Sequence, residues 1–300
     1  MTASPVPFGR LATAMVTPFS TDGSVNLAEA ARLAAYLVDR QRNDALIVNG
    51  TTGEAPTTSD TEKAALLEAV RAAIPETAKI VAGVGTFDTA HSIRLARDAA
   101  AAGADGLLVV TPYYSRPPQD ALRAYFLAIA DATALPILIY DIPSRTGTPV
   151  DEATLIALAA HPNIVAVKDA KGLPVSSAAV MAATDLAYYA GDDGMLLPLL
   201  AVGGVGVVGT STHFTGARTK ALIDAFVAGD VTGAIRRYQE LLPVYRGVFA
   251  TQGCLLVKAG LTAQGFAPGG VRAPLLPASE AQAATFVALL EAAGLGSPLT

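Results

Sequence analysis

"NIVAVKDAKG", residues 163–172, carries four apolar residues in a row, Ile164 to Val167, and then a lysine. Successive side chains of a strand point to opposite faces, so a half-buried strand alternates apolar and polar residues, whereas an unbroken apolar run implies cover on both faces. Strands of that kind belong to parallel sheets sandwiched between helices. The run therefore asks for crossover helices on either side of it. It also ends in a cation, Lys168, on a strand with no wet face.

Outward from this stretch the same pattern repeats. Short aliphatic runs occur at "LATAMVTPF" (11–19), "ALIVNG" (45–50), "KIVAGVG" (79–85), "GLLVVTPYY" (106–114), "PILIYDIP" (136–143), "IVAVKDA" (164–170), "LAYYAGDD" (186–193) and "GVGVVGTS" (204–211). Between them lie Ala-rich stretches such as "TEKAALLEAVRAAI" and "TAHSIRLARDAAAAG", whose apolar residues recur three and four apart, the period of an amphipathic helix. Eight strands alternating with helices predict a (β/α)8 TIM barrel. A doubly wound open sheet is the rival, weakened because "TPFSTDGSVN" (17–26) after the first strand lacks the glycines of a dinucleotide fingerprint. Past residue 225 strand signals stop, and "VTGAIRRYQELLPVYRGVF", "GCLLVKAGLTAQ" and "SEAQAATFVALLEAAG" read as helices. The expected organisation is a catalytic barrel over 1–225 with a C-terminal helical extension over 226–300.

Composition narrows the partners. At 300 residues and 52% hydrophobic content the chain can bury a sizeable core, and its apolar stretches are shorter than the roughly 18 to 20 residues of a membrane helix. "MTASPVPFGR" holds no apolar signal core, so the expected location is the cytoplasm. A net charge of −5, scattered along the chain, offers no basic stripe for nucleic acid and no cationic face for a membrane. The single cysteine, Cys254, leaves no internal disulfide, and His91, His161 and His213 stand too far apart to suggest a metal site, reading as surface or capping residues. Small molecules and further copies of the chain are the expected partners.

In a barrel of this kind the active site lies at the C-terminal ends of the strands, so the residue that finishes each apolar run matters most. Strand two ends in "GTTGE" (50–54), strand four in "TPYYSRPP" (111–118), strand five in "YDIPSRTG" (140–147), strand six in Lys168 and strand seven in "AGDD" (190–193). Lys168 admits a plain reading, a side chain reaching out to pair with Asp169 or Asp192. It also admits a reactive one, a nucleophile that attacks a ketone to form an imine. Only the neutral amine attacks, and neutralising a lysine of ordinary pKa, about 10.4, at pH 7 costs roughly 4.6 kcal/mol; burial at a dry barrel mouth removes much of that cost. Imine chemistry needs proton shuttles, for which Tyr140 on the neighbouring strand is the best candidate, with Thr51 and Tyr114 as relay hydroxyls. Thr51 and Thr52 also suit simple capping, and Tyr113 and Tyr114 rim packing. Backbone amides of the "GTTG" turn suit a substrate carboxylate. Arg145 offers a planar fork for a second one, or a surface ion pair.

Taken in order, "GTTGE", "VTPYY", "YDIPSRTG", "VKDAKG" and "YYAGDD" resemble the dihydrodipicolinate synthase family, also called 4-hydroxy-tetrahydrodipicolinate synthases, within the pyruvate-dependent class I aldolases. The likeness runs from about residue 10 to 275. The resemblance implies pyruvate held as a covalent imine on Lys168, with no other cofactor and no metal. It further implies Tyr140 as proton donor and acceptor, and Thr51 and Tyr114 completing a relay. Thr52, the Val208 backbone and Gly191 then serve as substrate-binding residues, and Arg145 places aspartate semialdehyde as the second substrate in lysine biosynthesis. Tyr114 would reach a neighbouring subunit's site, implying a homotetramer built from tight dimers.

The sequence departs from its relatives in places. Asp141 stands where many carry Asn, and "GVGVVGTSTHFTG" (204–216) is an unusual eighth strand and loop. Sialic-acid lyases commonly carry Ser where Thr51 stands and lack a match for Arg145, which favours the synthase over a lyase or keto-sugar-acid aldolase. A barrel that merely senses pyruvate-like ligands has no need of the lysine, the tyrosine and the relay hydroxyls together. Relatives that lysine inhibits bind it at positions matching Asp60, Lys63, Phe87 and His91 here, a set poorly suited to a cationic ligand, so feedback inhibition by lysine is expected to be weak or absent.

Overall fold

The computed structural model describes residues 6–296. Strands β1 (Leu11–Ala14), β2 (Ala45–Val48), β3 (Lys79–Gly83), β4 (Gly106–Val110), β5 (Ile137–Asp141), β6 (Ile164–Asp169), β7 (Ala187–Ala190) and β8 (Gly206–Gly209) pair in parallel, each with the next in sequence. β8 returns to β1, closing the barrel. Helices α1 (Leu27–Asp39), α2 (Asp60–Ala73), α3 (Thr89–Ala101) and α4 (Gln119–Ala130) follow the first four strands. After β5 come a short turn of helix, α5 (Pro143–Thr146), and α6 (Glu152–Leu158); α7 (Pro174–Ala183), α8 (Leu196–Ala201) and α9 (Thr212–Val227) complete the ring.

The strands are shorter than the apolar runs that announced them. The run 106–114 supplies β4 only as far as Val110, where its pairing with Tyr140 of β5 ends; Thr111 and Pro112 stay buried beyond the strand, and Tyr113 and Tyr114 reach the rim. Inside the strands the apolar continuity has the expected cause. Alternate residues, among them Ala12, Ile47, Val81, Leu108, Leu138, Ala166 and Val208, fill the barrel interior, while Leu46, Ile80, Leu107, Ile139, Val167 and Val207 face the helices. Phe8 plugs the lower end, its amide donating to the Tyr189 hydroxyl at 3.2 Å. Gly106 permits that plug, since a Cβ there would fall 2.4 Å from the Phe8 ring.

Helix boundaries follow local chemistry. Ser59 and Glu62 form a reciprocal capping box at the start of α2, satisfying amides that the first turn leaves free. The Asn26 side chain caps α1 by accepting from the Glu29 amide, and Asp88 caps α3 through the Ala90 amide.

One expectation is overturned. His213 is fully buried at the start of α9, not a surface or capping residue. Its Nε2 accepts from the Val16 amide at 3.2 Å, so Nδ1 carries the proton and donates to the Thr210 carbonyl at 2.8 Å. Burial drives its pKa down to about 4, leaving a neutral ring that joins the end of β1 to the loop after β8.

α9 ends at Val227, two residues beyond the expected boundary at 225. Helices α10 (Val231–Gly247), α11 (Gly253–Ala263) and α12 (Glu280–Ala292) follow. α10 packs on α9, α12 packs on α10 and α11, and α11 brings its first turns toward the barrel mouth. Among the described residues no helix is long and apolar enough to cross a membrane.

Candidate active site

Lys168 is the penultimate residue of β6, in register with Tyr140 of β5 on one side and Tyr189 of β7 on the other. Its side chain points into the barrel, as Ala166 two residues earlier does, and is almost fully buried. The amine lies 4.0 Å from the centre of the Tyr140 ring. The ion pair that a plain reading allowed is not made, for among the described residues no carboxylate comes within 4 Å of it. Asp169 instead faces the helices, accepting from the Ser177 hydroxyl and from the Lys171 amide at 2.8 Å. Asp192 turns back to cap its own loop through the Gly194 amide. Loss of hydration lowers the Lys168 pKa to about 7; Asp193 pulls upward more weakly, and Arg145 adds to the fall.

Burial acts on Tyr140 in the opposite sense, pushing the phenol up to about 12, with Arg145 and the Thr51 hydroxyl holding it partly back. At pH 7 it therefore offers a proton. Thr51 sits on the turn after β2, where the Gly53 amide donates to Gly50 at 3.0 Å and the Glu54 amide to Thr51 at 3.1 Å. The turn thus spends two of its amides on itself, and those of Thr51 and Thr52 are left without a protein acceptor among the described residues. Any carboxylate-binding role of the "GTTG" turn rests on that pair of amides.

A cavity of about 440 Å³ opens beside Tyr140, and Lys168 itself does not line it. Thr51, Tyr140 and Arg145 line it together, with Gly50, Gly85 and Ile142, so three of the residues singled out in the sequence meet in one space. The Arg145 side chain is exposed and its guanidinium donates at 2.9 Å to the side-chain carbonyl of Gln252, the residue that precedes α11. The remaining candidates sit elsewhere. Val208 faces the barrel interior beneath the mouth. Gly191 gives its amide to Asp169 at 2.7 Å and packs against β6 so closely that a Cβ would lie 3.0 Å from Asp169 and Ala170. Tyr114 points away from its own site, 95% exposed, on backbone at φ 73°. Farther out, the cavity is walled by Phe87 and Tyr113, stacked edge to face with centroids 5.5 Å apart, and by Asp60, Lys63 and His91.

Three charged features escaped the reading of the sequence. Asp193 is fully buried, accepting from the Thr210 amide at 2.9 Å and the Ser211 hydroxyl at 2.6 Å, and thereby ties the loop after β7 to the loop after β8. Asp141 meets Lys171, a lysine of the "VKDAKG" motif, at 3.0 Å behind the barrel wall. Glu54 meets Lys258 of α11 at 2.7 Å. A lone cation inside the apolar stretch "CLLVKAGL" was the available signal for that pair.

A buried amine with its pKa lowered to about 7 thus stands beside a tyrosine at the C-terminal mouth of a closed (β/α)8 barrel. Residues 7–293 match the Dihydrodipicolinate synthetase family. A 4-hydroxy-tetrahydrodipicolinate synthase from Cutibacterium acnes is 60% identical over 284 residues, covering 95% of this chain and 97% of that one. Among solved structures, a DHDPS from Cyanidioschyzon merolae with lysine bound superposes with a TM-score of 0.94 at 38% identity, covering 97% of this chain and 100% of the other. The chloride-inhibited dihydrodipicolinate synthase of Acinetobacter baumannii, complexed with pyruvate, gives 0.92 at 30% identity over 96% and 99% of the two chains. The chain belongs to the dihydrodipicolinate synthetase family.

Proposed function

We propose that this protein condenses pyruvate with aspartate semialdehyde through an imine on Lys168, the reaction of a 4-hydroxy-tetrahydrodipicolinate synthase. One observation carries the reading: a buried lysine amine whose pKa is lowered to about 7, set 4.0 Å from the Tyr140 ring. The neutral amine attacks the pyruvate ketone carbon, forming a C–N bond as the carbonyl oxygen takes a proton from Tyr140. The nitrogen then returns a proton to the Tyr140 oxygen, Tyr140 passes it to the new hydroxyl group, and water leaves as the protonated imine forms. Loss of a methyl proton to the relay of Tyr140 and Thr51 gives an enamine. Its methylene carbon then bonds to the aldehyde carbon, the aldehyde oxygen takes the proton from Tyr140, and attack of water on the imine carbon breaks the C–N bond, freeing the product and the Lys168 amine and returning the proton to Tyr140.

The free amides of Thr51 and Thr52 suit the pyruvate carboxylate, with Val208 and Gly191 shaping the floor, and Arg145 suits the carboxylate of the aldehyde. No further cofactor or metal enters this scheme. Residues 226–300 act as an extension that braces the barrel. The setting we propose is the cytoplasm, and the assembly a homotetramer in which Tyr114 enters a neighbour's site.

Borohydride added with pyruvate tests the scheme. The expected outcome is a reduced three-carbon adduct on Lys168 and loss of activity, read by mass spectrometry. No adduct, or an adduct on another lysine, overturns the mechanism. A native protein that is trapped by pyruvate yet consumes a sugar acid in place of aspartate semialdehyde belongs to a lyase branch.

A further inference from the structure

Lys258 lies in the middle of α11, between Val257 and Ala259, and only 4% of it is exposed. Its ammonium donates to Glu54 Oε1 at 2.7 Å and to the Gly270 carbonyl at 2.5 Å, and it rests 4.3 Å from the centre of the Phe19 ring. The other carboxylate oxygen of Glu54 accepts from the Arg272 amide at 2.9 Å. Both oxygens are therefore held by the C-terminal segment, across more than two hundred residues of chain.

Glu54 is itself unusual. It is buried and sits at φ 57°, in the left-handed region that a residue with a Cβ avoids unless its surroundings enforce it. From that conformation its amide donates to the Thr51 carbonyl at 3.1 Å, closing the turn that carries the Thr51 hydroxyl and the free amides of Thr51 and Thr52. Thr17 fixes the same turn from the other side by donating to the Gly53 carbonyl at 2.6 Å. The sequence gives Glu54 no reason to stay buried in this backbone state; the cation from α11 supplies one.

We infer that Lys258 is a positioning residue of the active site: through Glu54 it holds the Gly50–Glu54 turn so that Thr51 reaches Tyr140 and the turn amides face the pyruvate carboxylate. The inference rests on the proposed pyruvate chemistry at Lys168. Taking away the cation leaves a buried carboxylate without its counter-charge, and the turn moves to bring that carboxylate to water; taking away both charges leaves the left-handed turn at residue 54 without its tether to α11, and it relaxes as well.

The test uses two variants of the full chain, Lys258→Met and Glu54→Gln/Lys258→Met, the second removing both charges so that a folded protein is in hand if the first does not fold. Each is assayed well below its melting midpoint. Expected are a pyruvate KM about tenfold higher and a kcat about tenfold or more lower, with the KM for the aldehyde unchanged because Arg145 is not on the turn. A role confined to folding lowers the active fraction and leaves the pyruvate KM alone. A folded variant with wild-type kcat and pyruvate KM overturns the inference, whatever its melting temperature. Wild-type protein that pyruvate and borohydride do not modify overturns instead the reading on which it rests.

Discussion

Lys168 owes its lowered pKa chiefly to the burial that its place at the end of β6 imposes. The fall of its pKa from 10.5 to about 7 corresponds to roughly 5 kcal/mol of preference for the neutral amine, drawn chiefly from lost hydration. The unfolded chain keeps the ordinary lysine value and binds the proton through the whole interval from 7 to 10.5, so the site lowers stability at neutral pH, and that penalty shrinks as pH rises toward 10.5. Activity has its own sign. The ammonium cannot attack, so kcat/KM for pyruvate falls about tenfold per unit as pH drops below about 7 and is flat just above it. Tyr140, with its phenol near 12, does not add a limb in that range. An initial-rate profile from pH 5.5 to 9 decides the matter. A rate that still climbs about tenfold per unit up to pH 9 would mean a lysine still exposed to water.

At the scale of elements, the parts legible in the sequence were those that one strand announces by itself. The unbroken run Ile164–Val167 gave away burial on both faces, and the lysine after it fell at the barrel mouth because every parallel strand ends there. Tyr140 was legible for the same reason, being the penultimate residue of β5 and in register with Lys168. What stayed hidden depends on pairs brought together by closure of the barrel. His213 looked like a lone surface histidine because its partners, Val16 and Thr210, belong to the first strand's exit and the last strand's loop, which meet only when β8 pairs with β1. Glu54 and Lys258 lie in separate motifs, and Asp193 shows its use only against Thr210 and Ser211. Strand ends were overshot because loop residues such as Thr111 and Pro112 remain buried after pairing has stopped.

At the scale of the whole molecule, the proposed assembly would give a use to the Tyr114 ring, which is exposed on left-handed backbone. If it serves a neighbour's site, inactive Tyr114→Phe protein mixed with inactive Lys168→Ala protein regains partial activity once subunits exchange. No recovery with exchange verified places Tyr114 outside the relay. The outer cavity is poorly made for a lysine ligand. The Cyanidioschyzon merolae relative has been solved with lysine bound, yet here a lysine ligand would meet a cation of the protein. Lys63 is buried in the wall, its ammonium donating to the Thr58 carbonyl, and burial lowers its pKa. The nearby carboxylate of Asp60 is engaged by His91, with both oxygens 2.9 Å from Nε2, so a ligand ammonium must break that pair while approaching Lys63. Phe87, stacked on Tyr113, supplies no hydrogen bond in return. Like charges in a partly dry cleft oppose binding, so millimolar lysine is expected to leave the steady-state rate within about twofold of its uninhibited value. Titration calorimetry on the same protein is expected to register no saturable heat. Strong inhibition at that concentration would show that another set of residues receives the ligand, and exchanging Lys63 for His would then leave the inhibition constant unmoved.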